Sequence, residues 1–160
     1  MGNEATRFAQ ALTAIEAWQG VQVAARSRLY QTEPQGDSAQ PWFTNQVAEL
    51  ACASFLAPQE LLTAMLCLEK DLGRTRDAVR RFGPRSIDLD LLLFGDMVCA
   101  GRTLCIPHPR MTERAFVLVP LLEIAPSLQL PNGESVVSCL DKLQFRVKGA
   151  RIFQDTHKNP

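Results

Sequence analysis

Apolar residues recur at helical spacing from Ala5 to Gln19, where Phe8, Leu12, Ile15 and Trp18 share a face and Gly20 follows as a stop. Val21 to Tyr30 then alternates, with Val21, Val23, Ala25, Ser27 and Leu29 on one side and Gln22, Arg26, Arg28 and Tyr30 on the other. That is the period of a half-exposed strand. A polar loop over 31–41, longer than a minimal hairpin needs, leads to a second strand within Trp42 to Ser54, on which Asn45 and Glu49 share a face. Pro58 suits the first turn of a second helix, striped by Leu61, Met65, Leu68 and Leu72 and stopped by Gly73. Ser86 to Phe94, opened by Gly83-Pro84 and closed by Gly95, reads as a buried strand, with a short return strand from Met97 to Cys99. Further on, Leu121 to Ala125 reads as helix, the residues just before it stay undecided, and Ser135 to Leu143 reads as a short helix after the Pro131-Asn132-Gly133 turn. Residues 148–160 read as a polar tail expected to fray.

The order helix, strand, strand, helix, strand predicts an α+β domain over 1–147, a ferredoxin-like split βαβ sandwich with a helical C-terminal annex. One strand of that pattern, the one that should feed the first helix, is expected to be missing, because the sequence opens where it would end. In such a sheet this strand is internal, so its neighbours should carry unpaired edges beside an open groove.

The length of 160 residues fits one domain with its own core. Seventeen basic and 17 acidic residues cancel, which argues against bulk binding to nucleic acid or anionic membrane. No apolar run approaches the ~18 residues of a membrane span, and no signal-peptide pattern opens the chain, so a cytoplasmic protein is expected. The five cysteines stand singly, which predicts buried free thiols instead of a disulfide framework or a zinc site.

Against this neutral background two features stand out. Asp88 and Asp90 sit two apart, so on a strand they project from one face with α-carbons roughly 6.6 Å apart. Carboxylates that close repel unless a cation lies between them, which suits hard divalent ions such as magnesium. Just before them Arg74, Arg76, Arg80, Arg81 and Arg85 crowd into twelve residues, and guanidinium groups pair with phosphate oxygens. Together they suggest a polyphosphate substrate. His108, fixed between Pro107 and Pro109, is either a structural hydrogen-bonder or a site residue, and Glu69 is either solvated or turned toward that site.

The run Phe82-Gly83-Pro84-Arg85-Ser86-Ile87-Asp88-Leu89-Asp90, followed by Ile106-Pro107-His108-Pro109-Arg110-Met111 and Arg114-Ala115-Phe116-Val117-Leu118, resembles the 6-hydroxymethyl-7,8-dihydropterin pyrophosphokinase family. Tyr30-Gln31-Thr32-Glu33-Pro34, Phe43-Thr44-Asn45-Gln46-Val47, and Glu69 with Leu72-Gly73-Arg74 extend the similarity over about 1–143. The resemblance implies a monomeric enzyme of folate biosynthesis that transfers pyrophosphate from ATP to the pterin hydroxymethyl group with two Mg2+ ions, releasing AMP. It implies Asp88 and Asp90 as metal ligands, and Glu69, Arg74, Arg76, Arg85, His108 and Arg114 around ATP, with Arg76, Arg85 and His108 in the catalytic role. Thr32, Glu33, Pro34, Phe43, Asn45 and Phe116 would hold the pterin. Phe82 departs from the family pattern, which often has tryptophan there and so an indole donor. Two other readings are a truncated, weakly active or inactive relative, and a nucleotide- or RNA-binding module on the same fold. The second fits neutral charge and an Asp-x-Asp pair poorly.

Overall fold

The computed structural model describes residues 2–33, 42–73 and 87–154, those at 2 and 3 for backbone only. Helix α1 (Gly2–Glu16) leads into β1 (Val21–Arg26) and β2 (Tyr30–Thr32), then β3 (Phe43–Asn45) and β4 (Ala48–Cys52). Helix α2 (Pro58–Asp71) follows, then the short pair β5 (Cys99–Ala100) and β6 (Cys105–Ile106) and a 3-10 turn at Met111–Glu113. The chain closes with α3 (Ala115–Ile124), α4 (Val136–Asp141), β7 (Phe145–Lys148) and β8 (Arg151–Gln154). The result is a mixed α/β fold.

The two long alternating stretches each divide into two strands. β1 pairs antiparallel with β4, and β2 with β3, so a single hairpin feeds two sheets. The switch is at Ser27, which is buried: its N–H donates to the Val47 carbonyl at 2.8 Å, its Oγ accepts from Val47 N at 3.1 Å, and its carbonyl accepts from the Gln46 amide at 2.6 Å. Three residues, 27–29, thus face two, 46–47, and this surplus breaks the ladder as a bulge does.

The second sheet has the order β3-β2-β8-β7, and its last two strands depart from expectation. Residues 148–154 lie inside the stretch read as a fraying polar tail. With 145–147 they instead form the β7–β8 hairpin, whose second strand runs parallel to β2, pairing Gln31 with Arg151 and Thr32 with Ile152. Gly149, at φ 61°, supplies the positive dihedral that a two-residue hairpin loop asks of its first residue. Ile152 is buried with Tyr30 and Ala115, and that burial holds the strand down.

Two further expectations are corrected. The segment 87–93 enters no ladder, although it was read as the central strand. Its backbone groups are taken by other partners: Leu89 N–H donates to the Glu69 carboxylate at 2.8 Å, and the Leu92 carbonyl accepts from His108 N–H at 2.8 Å. The return strand expected at Met97 to Cys99 is displaced: the strand found is β5 at Cys99–Ala100, and it pairs forward with β6. All five cysteines are free as expected, but of them only Cys139 is buried.

The helices follow their apolar stripes. Leu61, Met65 and Leu68 of α2 are buried, and Gly73 ends its C-terminal turn at φ 89°. Helix α3 is apolar nearly all round and carries Pro120 in its interior, with Ala115, Leu118 and Pro120 buried. Two clusters make up most of the core. Ile15, Val21 and Leu68 gather Leu50, Leu72 and Leu89; Met111, Leu118, Leu121 and Val136 gather Leu92, Leu93 and Phe116. Segment 87–93 therefore gives apolar residues to both clusters. A groove of about 280 Å³, lined by Leu50, Cys52, Ala53, Ser54, Leu56, Phe94 and Gly95, opens where β4 ends.

Candidate active site

Segment 87–93 is the meeting point of the acidic and basic groups. Ile87 is buried while Asp88 and Asp90 are exposed, so both carboxylates face outward from a segment anchored on its other side. Glu69, near the end of α2, is 1% exposed, and the amide it holds is that of Leu89, between the two aspartates. Of the two readings left open for Glu69, the solvated one is wrong.

Arg114 approaches from the N-terminus of α3, where its extended backbone (φ −122°, ψ 104°) separates the 3-10 turn from the helix. Its Nη1 lies 3.9 Å from Asp90 Oδ2, and its guanidinium carbon lies 5.6 Å from the centre of the Phe116 ring. Its Nε is buried and, among the described residues, has no hydrogen-bond partner. Burial, then the neighbouring Arg110, pulls the guanidinium below the ordinary arginine value, against the opposite pull of Asp90, Glu113 and Asp88. The group remains a cation, because arginine keeps its proton in proteins. A partly desolvated cation with an unused donor suits an anionic ligand.

The backbone N–H of His108 donates to the Leu92 carbonyl of segment 87–93 at 2.8 Å. Its Nδ1 accepts from Arg110 N–H at 3.2 Å, so a neutral ring carries its proton on Nε2, leaving that nitrogen as a donor. His108, Pro107, Pro109 and Asn132 help line a cavity of about 280 Å³.

A second group of residues sits on the β2–β3 hairpin. Thr32, which is buried, accepts a 2.9 Å hydrogen bond from Asn45 Nδ2, and it pairs across the ladder with the exposed Phe43. Glu33 follows, half-buried. Phe116 ties this hairpin to the arginine, packing on both the Tyr30–Ala115–Ile152 cluster and the larger core. Of the other expected site residues, Pro34, Arg74, Arg76 and Arg85 lie outside the described residues, as do Arg80, Arg81 and Phe82.

Two features of this neighbourhood went unread in the sequence. Tyr30 donates its phenolic proton to Glu123 Oε2 at 2.8 Å, and Arg28 bonds to both, so β2 is fastened to the far end of α3. The Gln154 side chain accepts from Ala115 N–H and donates to the Glu113 carbonyl, both at 2.7 Å. Each links residues too far apart in sequence for a local pattern to show. The hairpin bearing Gln154 has a signal, Phe145-Arg146-Val147-Lys148-Gly149 followed by Arg151-Ile152-Phe153, but its second half falls in the stretch from 148 that reads as polar tail.

The residues present fit magnesium. Two carboxylates facing outward at two-residue spacing give hard oxygen donors, and magnesium needs no more than one or two of these beside waters and phosphate oxygens.

Comparison with known proteins gives one answer. The 2-amino-4-hydroxy-6-hydroxymethyldihydropteridine pyrophosphokinase of Methylorubrum extorquens is 44% identical over 143 residues, covering 89% of this chain and 87% of the relative. The protein of the same name from Pseudomonas aeruginosa is 43% identical, covering 84% of this chain and 81% of the relative. A folate synthesis bifunctional protein of Arabidopsis thaliana is 37% identical over 96% of this chain, which there matches only 30% of the longer relative. Residues 1–126 match the model of 7,8-dihydro-6-hydroxymethylpterin-pyrophosphokinase, and with relatives this similar over most of its length the chain belongs to that family.

Proposed function

We propose that this chain transfers the β,γ-pyrophosphoryl group of ATP to the hydroxymethyl oxygen of 6-hydroxymethyl-7,8-dihydropterin, giving AMP and the pterin diphosphate in folate biosynthesis. The observation that carries this reading is the approach of Arg114 to within 3.9 Å of Asp90, on the segment that also bears Asp88 and whose Leu92 carbonyl accepts from the backbone N–H of His108.

Asp88 and Asp90 would hold magnesium, two ions with ATP, which when bound offset phosphate charge and orient the phosphate chain. Arg114 donates to phosphate oxygens through the nitrogens its protein partners leave unused, and His108 donates from Nε2. Arg74, Arg76 and Arg85 add further cations, as the family pattern implies. No side-chain nucleophile is required: the substrate oxygen attacks the β-phosphorus, and the bridging oxygen leaves with AMP. Catalysis is then mostly positioning and charge stabilisation.

On the β2–β3 hairpin, Thr32 takes one donor of the Asn45 amide and so sets its orientation. The Asn45 oxygen and its second N–H remain to read the amide-like edge of the pterin. Phe43 and Phe116 would enclose its flat ring, with Glu33 and Pro34 contributing backbone contacts. The finer fold reading is a ferredoxin-like split βαβ sandwich with a helical C-terminal annex, which the order α1, β1, β4, α2 and the antiparallel pairing of β1 with β4 support. The cancelling charges support small-molecule substrates over nucleic-acid or anionic-membrane partners.

Incubation with ATP, magnesium and the hydroxymethyl pterin should yield AMP in proportion to pterin. Release of ADP, or AMP formation indifferent to pterin, would refute the reading. Asp88→Ala and Asp90→Ala should each abolish turnover and leave the circular dichroism unchanged; wild-type rates in both would remove the pair from the mechanism.

A further inference from the structure

We propose that Gln154 is a positioning residue for Arg114, acting from a C-terminal strand beyond the residues 1–126 that the family model matches. The proposal rests on the reading that Arg114 meets ATP phosphates.

Arg114 sits at a junction where the backbone needs outside help. It is the N-cap of α3 and its own side chain makes no capping hydrogen bond. The first N–H groups of a helix have no partner within it, and the carbonyl before the cap is equally unserved. One side chain answers both needs: Gln154 Oε1 accepts from Ala115 N–H, and Gln154 Nε2 donates to the Glu113 carbonyl, each at 2.7 Å. The two contacts fall on either side of Arg114. Among uncharged side chains of this reach, an amide offers a donor and an acceptor from one planar group. The clamp therefore fixes the peptide planes that aim the guanidinium toward Asp90 and across Phe116.

Gln154 is itself held from the opposite direction. β8 runs beside β2, with Ile152 paired to Thr32 and buried against Tyr30 and Ala115. The same strand thus flanks the hairpin proposed to bind pterin and grips the residue proposed to bind phosphate. The clamp joins the two halves of the site.

The test uses the full chain carrying Gln154→Ala or Gln154→Glu. The glutamate keeps the acceptor for Ala115 but sets a carboxylate against the Glu113 carbonyl, so both variants should behave alike. Each should lower kcat/KM for ATP about ten- to a hundredfold, the scale on which small misplacements act, with KM for pterin changed less than about twofold. In an Arg114→Ala background the further loss should be less than about twofold, because a group acting through Arg114 has nothing left to position. Equal factors in both backgrounds, or a KM for pterin raised as far as kcat/KM for ATP is lowered, overturn the proposal and leave Gln154 a helix cap alone. A second measurement does not depend on turnover. The Arg114 Nε–H resonance, identified by its disappearance in Arg114→Ala, should shift or broaden in both Gln154 variants. An unmoved resonance overturns the proposal even if the wild-type chain turns over as expected. A wild-type chain that makes no pterin-dependent AMP while the resonance moves refutes the functional reading and leaves the clamp standing.

Discussion

Glu69 occupies a position that helix electrostatics disfavours, a carboxylate near a C-terminal end, and it is buried there as well. What it does in return is accept the Leu89 N–H, which no β-ladder takes. Because that amide separates Asp88 from Asp90, the carboxylate fixes the spacing and direction of both. Glu69→Ala should therefore destabilise the fold by about 1–3 kcal/mol, the cost of stranding a buried donor. It should also weaken magnesium-dependent ATP binding. Glu69→Gln retains a side-chain oxygen for Leu89 and should keep most of both properties. Urea denaturation alongside titration with Mg-ATP checks this; equal damage in the two variants would show that the charge matters more than the acceptor.

At the level of elements, the Tyr30–Glu123–Arg28 group controls how α3 lies against β2. Burial works to raise the Glu123 pKa, but the Arg28 backbone N–H, the Tyr30 hydroxyl and the Arg28 charge together bring it below 4.5. Burial and then the Glu123 bond raise Tyr30 above 10.0. A depressed carboxylate stabilises the fold fully above its unfolded value, and that contribution disappears as pH falls through the folded value. A raised phenol stabilises below its unfolded value, and its contribution is lost as pH climbs through the folded one. Glu123→Gln should thus lower Tm by roughly 2–4 °C at pH 7, a modest figure because the pair is partly exposed. The gap to wild type should close as pH falls below 4.5. A gap of the same size at pH 3 would reject this account.

Helices α1 and α2 were legible in sequence because their signal is local: Leu61, Met65 and Leu68 announce α2 within two turns, whereas α3 was legible only from Leu121 on. The candidate metal pair was visible for the same reason, since only Leu89 stands between Asp88 and Asp90. β8 was not, because Ile152 earns its burial from Tyr30, more than a hundred residues away, and nothing near it in sequence reports that partner. Segment 87–93 misled for the opposite reason. Its apolar alternation is real, but pattern shows which face is buried and not whether a neighbouring strand supplies hydrogen bonds.

Across the whole molecule, the pieces of the site belong to different parts of the core. Glu69 holds Leu89, which packs on the α1–α2 cluster; Arg114 lies over Phe116 and His108 bonds to Leu92, both packed on the α3 cluster; Thr32 and Asn45 belong to the β8 sheet. A ligand that touches all three should link them and resist unfolding as a unit, because binding to the native state alone stabilises it by mass action. At a hundredfold excess over Kd the gain is about 2.7 kcal/mol, which for a domain of this size converts to a Tm rise of roughly 5–10 °C. Mg-ATP together with pterin should give that rise. Chelating magnesium should remove most of it, because the exposed Asp88 and Asp90 would then repel the phosphates they otherwise help to hold. Asp90→Asn should respond differently: it lessens that repulsion, so chelation should cost this variant less of its ligand-induced stabilisation. Differential scanning calorimetry with and without chelator measures each quantity. A rise that survives chelation intact in the wild-type chain would show that ATP is held by the cationic side chains alone and that the two aspartates take no part in binding it.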